Sequence, residues 1–145
     1  MEELSQTKSV VGTIDVLNCM ESLISEAEKF LFCIIDRPIH VINARAVEKI
    51  QKGVIAKAIF DEHNIEFYQK IPETKGVLEK RVIDKIPVIM LISEKSAVIN
   101  LMSIDSRGDA VSFHGKDAAF LEWARDLFSF YWEKGKPFHS KQIQQ

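Results

Sequence analysis

The chain has 145 residues, of which 46% are hydrophobic and 28% are charged, and its formal net charge is -2. These values are typical of one soluble globular domain and exclude an intrinsically disordered chain. Nucleic-acid binding normally needs a basic face, and no block of Lys and Arg supplies one here. Direct DNA binding by this chain alone is therefore disfavoured.

The cysteines and the N-terminus indicate the compartment. Cys19 and Cys33 lie in apolar segments, without a C-x-x-C motif or a His at metal-ligand spacing, which predicts buried, reduced thiols. No apolar run approaches the roughly 20 residues that span a bilayer, and residues 1–8 are polar and acidic, unlike a signal peptide. The sequence therefore predicts a cytoplasmic protein with no membrane contact, metal or cofactor.

Apolar periodicity indicates one domain with two short polar ends. Residues 1–9 are predicted to be disordered, residues 10–138 to form a single domain, and residues 139–145 to be a polar tail. The order helix, strand, helix, strand, helix at the start of the domain predicts parallel strands in a layered α/β fold. The predicted elements are a helix over 10–29, a strand over 30–35, a helix over 44–52 between caps at Asn43 and Gly53, a strand over 54–60, a helix over 62–70 capped by Asp61, and a loop over 71–80.

Two apolar runs near the middle of the chain predict a buried β-hairpin. The runs cover residues 88–92 and 97–102, after a possible short strand over 82–85, and a polar break from Ser93 to Ser96 separates them. The first run is apolar throughout, so both of its faces should be buried in the middle of a sheet. Asn100 interrupts the second run, which we therefore place nearer the edge.

The last helix, predicted over residues 118–134 with Asp117 as its cap and Gly135 and Pro137 at its end, has the strongest periodicity. Its apolar arc is wider than one sheet can cover. The surplus could pack on flanking loops or contact another chain. For the second case we predict a homodimer whose interface contains Trp123, Phe130 and Trp132.

Charged and polar residues follow the first two predicted parallel strands. Ligands of open α/β sheets bind outside the carboxyl ends of the strands. We therefore predict a ligand-binding site at Arg37, His40, Asp61 and His63, where Arg37 could hold an anion. The alternative is that Asp61, like Asp36, merely ends a strand or caps a helix.

One short motif points to phosphodiester chemistry. The run His114-Gly115-Lys116 starts like the H-x-K-x-x-x-x-D signature of phospholipase D enzymes, but Leu121 occupies the position of the Asp. A second such motif would be required, and the only other H-x-K, at residues 139–141, lies in the polar tail. The sequence therefore predicts no catalytic residues and no enzyme activity.

Residues 80–101 and 113–132 together resemble the sensor domain of archaeal winged-helix transcription regulators. The resemblance is closest to the methanogenesis-regulator group and more distant to the TrmB sugar-sensing regulators. It is carried by Ile86-Pro87-Val88, by residues 93–97, and by Trp123, residues 126–128 and residues 131–132. The resemblance implies a phospholipase D-like fold without the catalytic motif: a mixed sheet with parallel strands and an antiparallel hairpin, flanked by helices.

The resemblance also implies a function. In this family a winged helix precedes the sensor domain, whereas here the stretch before the first predicted helix is too short for one. The chain is therefore expected to be a ligand-sensing and dimerisation domain with an unknown small-molecule effector. It would reach DNA only through an attached or partner winged-helix domain. The alternatives are a residual phosphodiesterase and a purely structural protein-interaction domain.

Overall fold

The computed structural model describes residues 8–11, 13–35, 40–64, 78–86, 88–101 and 111–137. Within these ranges the chain forms eight β-strands, three α-helices and one 3-10 helix. The helices are α1 (Thr13–Glu26), α2 (His40–Gln51) and α3 (Ala118–Lys134), and the 3-10 helix is Glu62–Asn64. The strands are β1 (Lys8–Val11), β2 (Phe30–Ile35), β3 (Ile55–Asp61), β4 (Leu78–Ile83), β5 (Val88–Ser93), β6 (Ala97–Leu101), β7 (Val111–Gly115) and β8 (Lys136–Pro137).

All eight strands belong to one mixed sheet, in the order β1-β7-β6-β5-β2-β3-β4-β8. β2, β3 and β4 are parallel neighbours, and the other neighbouring pairs are antiparallel. This confirms the predicted mixed sheet with parallel strands and an antiparallel hairpin. β5 lies near the middle, as its apolar sequence predicts. β6 lies one place nearer the margin than β5, as predicted, and β7 and β1 lie outside it.

Each face of the sheet carries its own part of the core. Side chains alternate along β2, so Phe32 and Ile34 join the cluster beneath α3 while Leu31 joins the cluster beneath α1. From α3, the buried side chains are Ala124, Phe128 and Trp132. The helices therefore flank the sheet on both faces, as predicted.

The connection between β5 and β6 fastens the hairpin to the start of β2. Glu94 Oε2 accepts a hydrogen bond from the backbone N–H of Glu28 at 2.8 Å, and Oε1 accepts from Lys29 at 3.1 Å and Phe30 at 3.2 Å. Burial opposes the ionisation of Glu94, but the backbone N–H donors outweigh it and lower the pKa of the carboxyl. We call these three hydrogen bonds the Glu94 clasp. The polar break in the sequence thus forms the turn of the hairpin and also binds it to the start of β2.

The first correction to the sequence-based expectations concerns the N-terminus. Lys8 and Ser9, expected to be disordered, pair with His114 and Phe113 in β7, and α1 begins only at Thr13. A local pattern cannot show this strand, because its partner lies about a hundred residues later in the chain.

The second correction concerns the boundaries around β3. α2 begins at His40, so Asn43 lies inside the helix and is not its cap, whereas Gly53 has the left-handed φ of +108° that was predicted for it. Of the helix expected over residues 62–70, the described part is the 3-10 turn Glu62–Asn64. The expected strand over 82–85 is β4, which begins at Leu78 inside the expected loop.

The third correction concerns the approach to α3. No strand was predicted directly before the last helix, but His114 and Gly115 end strand β7. Asp117 does occupy the N-cap position of α3, without a side-chain capping hydrogen bond. At the other end the N–H of Gly135 donates to Trp132 O at 3.1 Å, and Pro137 lies in β8. In the described part of the chain, no helix is both long and apolar enough to cross a membrane.

Candidate functional site

The carboxyl ends of the three parallel strands meet at one edge of the sheet. The register places Ile35 beside Phe60, and Phe60 beside Val82, so β2, β3 and β4 end at the same level. The polar residues that close β3 and follow β4, Asp61 and Asp84, are consequently brought to the same edge. This is the position at which open α/β sheets bind ligands.

Asp61 and His63 form a hydrogen-bonded pair at this edge. The backbone N–H of His63 donates to Asp61 Oδ1 at 2.8 Å, and Nδ1 of the ring lies 3.2 Å from the same oxygen. The His63 side chain is 71% exposed and that of Asp61 only 15%, so the imidazole faces solvent above a largely buried carboxylate. The pair can offer a proton donor and an acceptor to a bound molecule.

The neighbouring carboxylates favour the protonated form of His63. The hydrogen bond that Asp61 accepts from the imidazole, together with the charge of Asp61, raises the pKa of His63. The charge and backbone carbonyl of Asp84 add to this, while desolvation opposes it. A pKa raised from 6.5 makes the ring sensitive to pH near neutrality. The site therefore combines a titratable cation with two acidic groups.

Two of the four predicted ligand-binding residues are brought together here. Asp61 and His63 are in direct contact at the end of β3. Arg37 lies outside the described residues, and His40 is described only as the first residue of α2. Asp84 was not predicted, although the same rule would have found it if β4 had been expected to end at Ile83.

A small apolar cavity between α2 and the sheet is a different kind of feature. Its volume is about 60 Å³, and the small side chains of Ala46, Ala56 and Ala58 help to leave it open. Cys33 borders it, and burial raises the pKa of this free thiol to about 12, so the sulfur stays protonated. Metabolite pockets usually measure several hundred Å³, so this cavity is too small to be the candidate site.

The H-x-K motif lies at the end of β7, directly before α3. His114 lies on β7, paired with Val98 and Lys8, and Lys116 Nζ lies 4.0 Å from Glu26 Oε1. Leu121, which stands at the position of the signature Asp, packs against the core cluster beneath α3. Among the described residues no group of three His, Cys, Asp or Glu side chains could hold a metal ion.

The three predicted interface residues are exposed to different degrees. Trp123 and Phe130 are each 52% exposed, whereas Trp132 is 7% exposed. The indole of Trp132 lies against Phe128, with a ring-centroid distance of 5.7 Å, and under the Arg81 guanidinium carbon at 4.3 Å. Trp132 is thus a core residue of its own chain, and Trp123 and Phe130 are the rings that remain on the surface of α3.

Comparison with known proteins identifies the fold. No protein-family model matches the chain, and no curated protein is similar to it in sequence. Among solved structures it is similar to TrmBL2, an archaeal chromatin protein, with a TM-score of 0.74 and 20% identity over 93% of this chain. It is also similar to NucT from Helicobacter pylori, with a TM-score of 0.70 and 17% identity over 91% of this chain. A third similar structure is Nuc from Salmonella typhimurium, a phospholipase D family member, with a TM-score of 0.64 and 12% identity over 92% of this chain.

These likenesses establish a phospholipase D-like fold, and with it the predicted fold class. The matched region is 55% of TrmBL2 but 98% of NucT and 99% of Nuc. The chain therefore spans about half the length of TrmBL2 and nearly all of the two bacterial proteins. Identities of this size show the fold alone.

Proposed function

We propose that this chain is the ligand-sensing and dimerisation domain of an archaeal-type transcription regulator in the cytoplasm. A small-molecule effector binds at the strand ends, at Arg37, His40, Asp61 and His63. The two states of the domain then bias a winged-helix domain, attached to it or supplied by a partner, that makes the DNA contact.

The observation that carries this proposal is the exposed Asp61–His63 pair at the carboxyl ends of parallel strands. Its imidazole is 71% exposed, and the 3.2 Å contact with Asp61 orients the ring. Arg37 and His40 follow β2, the strand beside β3, so they are proposed to complete the same site. The likeness of the fold to TrmBL2 supports a regulatory or chromatin role, and the net charge of -2 argues against DNA contact by this domain itself.

The effector site is tested by ligand screening followed by calorimetry. We expect thermal-shift measurements against neutral sugars, phosphorylated sugars and dicarboxylates to reveal a stabilising compound, because a ligand that binds only the folded state raises its stability. The dissociation constant of that compound, measured by titration calorimetry, should rise at least tenfold in Arg37→Ala, His40→Ala and His63→Ala.

A matched control is Lys52→Ala, which removes an exposed positive charge beyond the end of α2. Its affinity should equal that of the wild type. Unchanged affinity in all three site variants would remove the proposed site. A screen without any stabilising compound would favour the reading of a purely structural interaction domain.

A residual phosphodiesterase is the second candidate, because the fold matches NucT and Nuc over nearly their whole lengths. We expect no turnover of bis-p-nitrophenyl phosphate, since Leu121 stands where the signature requires Asp. Turnover that disappears in His114→Ala would overturn the sensor proposal in favour of an enzyme. A His139→Ala variant controls for the other H-x-K motif.

A further inference from the structure

The surface of α3 carries an apolar stripe that its own sheet leaves uncovered. We define the stripe as Phe120, Trp123, Leu127 and Phe130. Trp123 and Phe130 are 52% exposed, and of the large apolar side chains in the described ranges only Ile55 is comparably exposed. Phe120 and Leu127 are half-buried, because they also touch the core cluster beneath the helix. Two large aromatic rings are therefore exposed on the same side of one helix, where another apolar surface could cover them.

The four residues of the stripe are spaced for packing against another helix. Their steps along the chain are three, four and three residues, which places them within about 80° of one another around a helix with 3.6 residues per turn. This is the spacing of the seam between two helices that pack side by side. Phe120 and Trp123 already stack at a centroid distance of 6.1 Å, so the stripe is ordered before any partner arrives.

The spacing is also palindromic, so the stripe can pair with the same stripe of an identical helix. In an antiparallel pair of identical helices, Phe120 lies opposite the partner's Phe130, and Trp123 lies opposite the partner's Leu127. Every member of the stripe then faces another member, and the large indole meets a smaller side chain. We infer that a second copy of this chain binds to the stripe, with the two α3 helices antiparallel about a twofold axis that crosses the stripe at the level of residue 125.

The parallel arrangement of the same helices is less favourable. It would place each Trp123 against its own copy, so the two largest side chains of the stripe would share one layer. Lys134 Nζ lies 4.3 Å from the Phe130 ring centroid of its own chain.

The size of the stripe predicts a reversible dimer. Aromatic side chains bury about 150–250 Å² each, so the two half-exposed rings from both copies contribute roughly 400 Å². Stable interfaces bury about 1,200 Å² or more in total. The dimer should therefore dissociate on dilution. This inference deepens the dimerisation part of the proposed function and rests on it.

The first test is the oligomeric state of the full chain by sedimentation equilibrium. Wild-type protein should pass from monomer to dimer between micromolar and millimolar concentration. Trp123→Glu and Phe130→Glu should each raise the dissociation constant at least tenfold, because a buried carboxylate would have no partner in the seam. Ser129→Glu adds the same charge on the opposite, exposed side of α3 and should leave the dissociation constant unchanged.

The outcomes separate this inference from the proposed function. A wild-type dimer that persists in both Glu variants would overturn the stripe but keep dimerisation. A protein that stays monomeric at millimolar concentration would overturn both. Circular dichroism establishes that each variant is folded. Trp123→Phe and Phe130→Leu, which stay apolar, should still dimerise, and they keep the test valid if a Glu variant does not fold.

The second test fixes the direction of the helices. In a Cys19→Ser background, Phe120→Cys and Phe130→Cys proteins are mixed in a glutathione redox buffer. Antiparallel packing predicts that the mixed 120–130 disulfide dominates over either same-site disulfide, because only residues that face each other reach bonding distance. Dominant same-site disulfides would show parallel packing and refute the inferred axis.

Discussion

The acidic residues at the ends of β3 and β4 change the protonation of a single side chain, that of His63. Asp61 raises the pKa of His63 in the folded protein above its ordinary value of 6.5. Protonation of His63 therefore stabilises the fold. This contribution is fully present below the unfolded-state value and is lost as the pH rises through the folded-state value. Asp61→Asn should lower the pKa of His63 towards 6.5, as measured by NMR titration of the ring protons.

The assignment and the control for this titration come from the same edge of the sheet. His63→Gln identifies the resonance, and Asp84→Asn should cause a smaller decrease, because Asp84 acts after Asp61 among the causes of the shift. An unchanged pKa in Asp61→Asn would mean that the 3.2 Å contact does not persist in solution.

The residues of the candidate site were only partly predictable. Asp61 and His63 follow an apolar run that reads as a strand, and the rule about strand ends applies to them directly. Asp84 was not predicted, because the strand was expected to end at Lys85, two residues beyond the observed end of β4 at Ile83. Contacts at a sheet edge depend on register, and register is a property of paired strands.

At the scale of the elements, the Glu94 clasp makes a prediction about stability. Replacing Glu94 by Ala leaves three backbone N–H groups without their carboxylate partner and should lower the free energy of unfolding by about 2 kcal/mol in urea titrations. Glu94→Gln should lose less, since one oxygen remains to accept.

The pH dependence of the clasp provides an internal check. The lowered pKa of Glu94 means that its contribution is present above about pH 4.5 and is lost as the pH falls through the folded-state value. The difference in stability between the wild type and Glu94→Ala should therefore shrink under acidic conditions. Glu79→Ala, at an exposed position of β4, is the control and should change stability little. Equal stability of the wild type and Glu94→Ala at neutral pH would contradict the clasp.

The elements that the sequence predicted share strong local patterns. The β5–β6 hairpin, β2, β3 and the span of α3 follow from apolar runs and caps inside short windows. β1 and β8 were missed because they contain four and two residues and exist only through pairing with distant strands. β7 was missed because it is only five residues long and pairs with β6 and with the distant β1.

On the scale of the whole molecule, the sheet accounts for the class of fold that the sequence suggested. Parallel strands beside an antiparallel hairpin follow from the alternation of elements, and the two-sided core follows from the fully apolar β5. The wide apolar arc of α3 is explained by the structure. Trp132 is buried, with Arg81 and Lys57 over its indole, whereas Trp123 and Phe130 remain exposed.

β1 and β8 form the two outermost strands of the same eight-stranded sheet. Strands lie about 4.8 Å apart, so seven intervals separate these two margins by roughly 34 Å. A module joined ahead of Lys8 and a module joined after Pro137 would therefore attach at opposite margins of the sheet, with its full width between the two points of attachment.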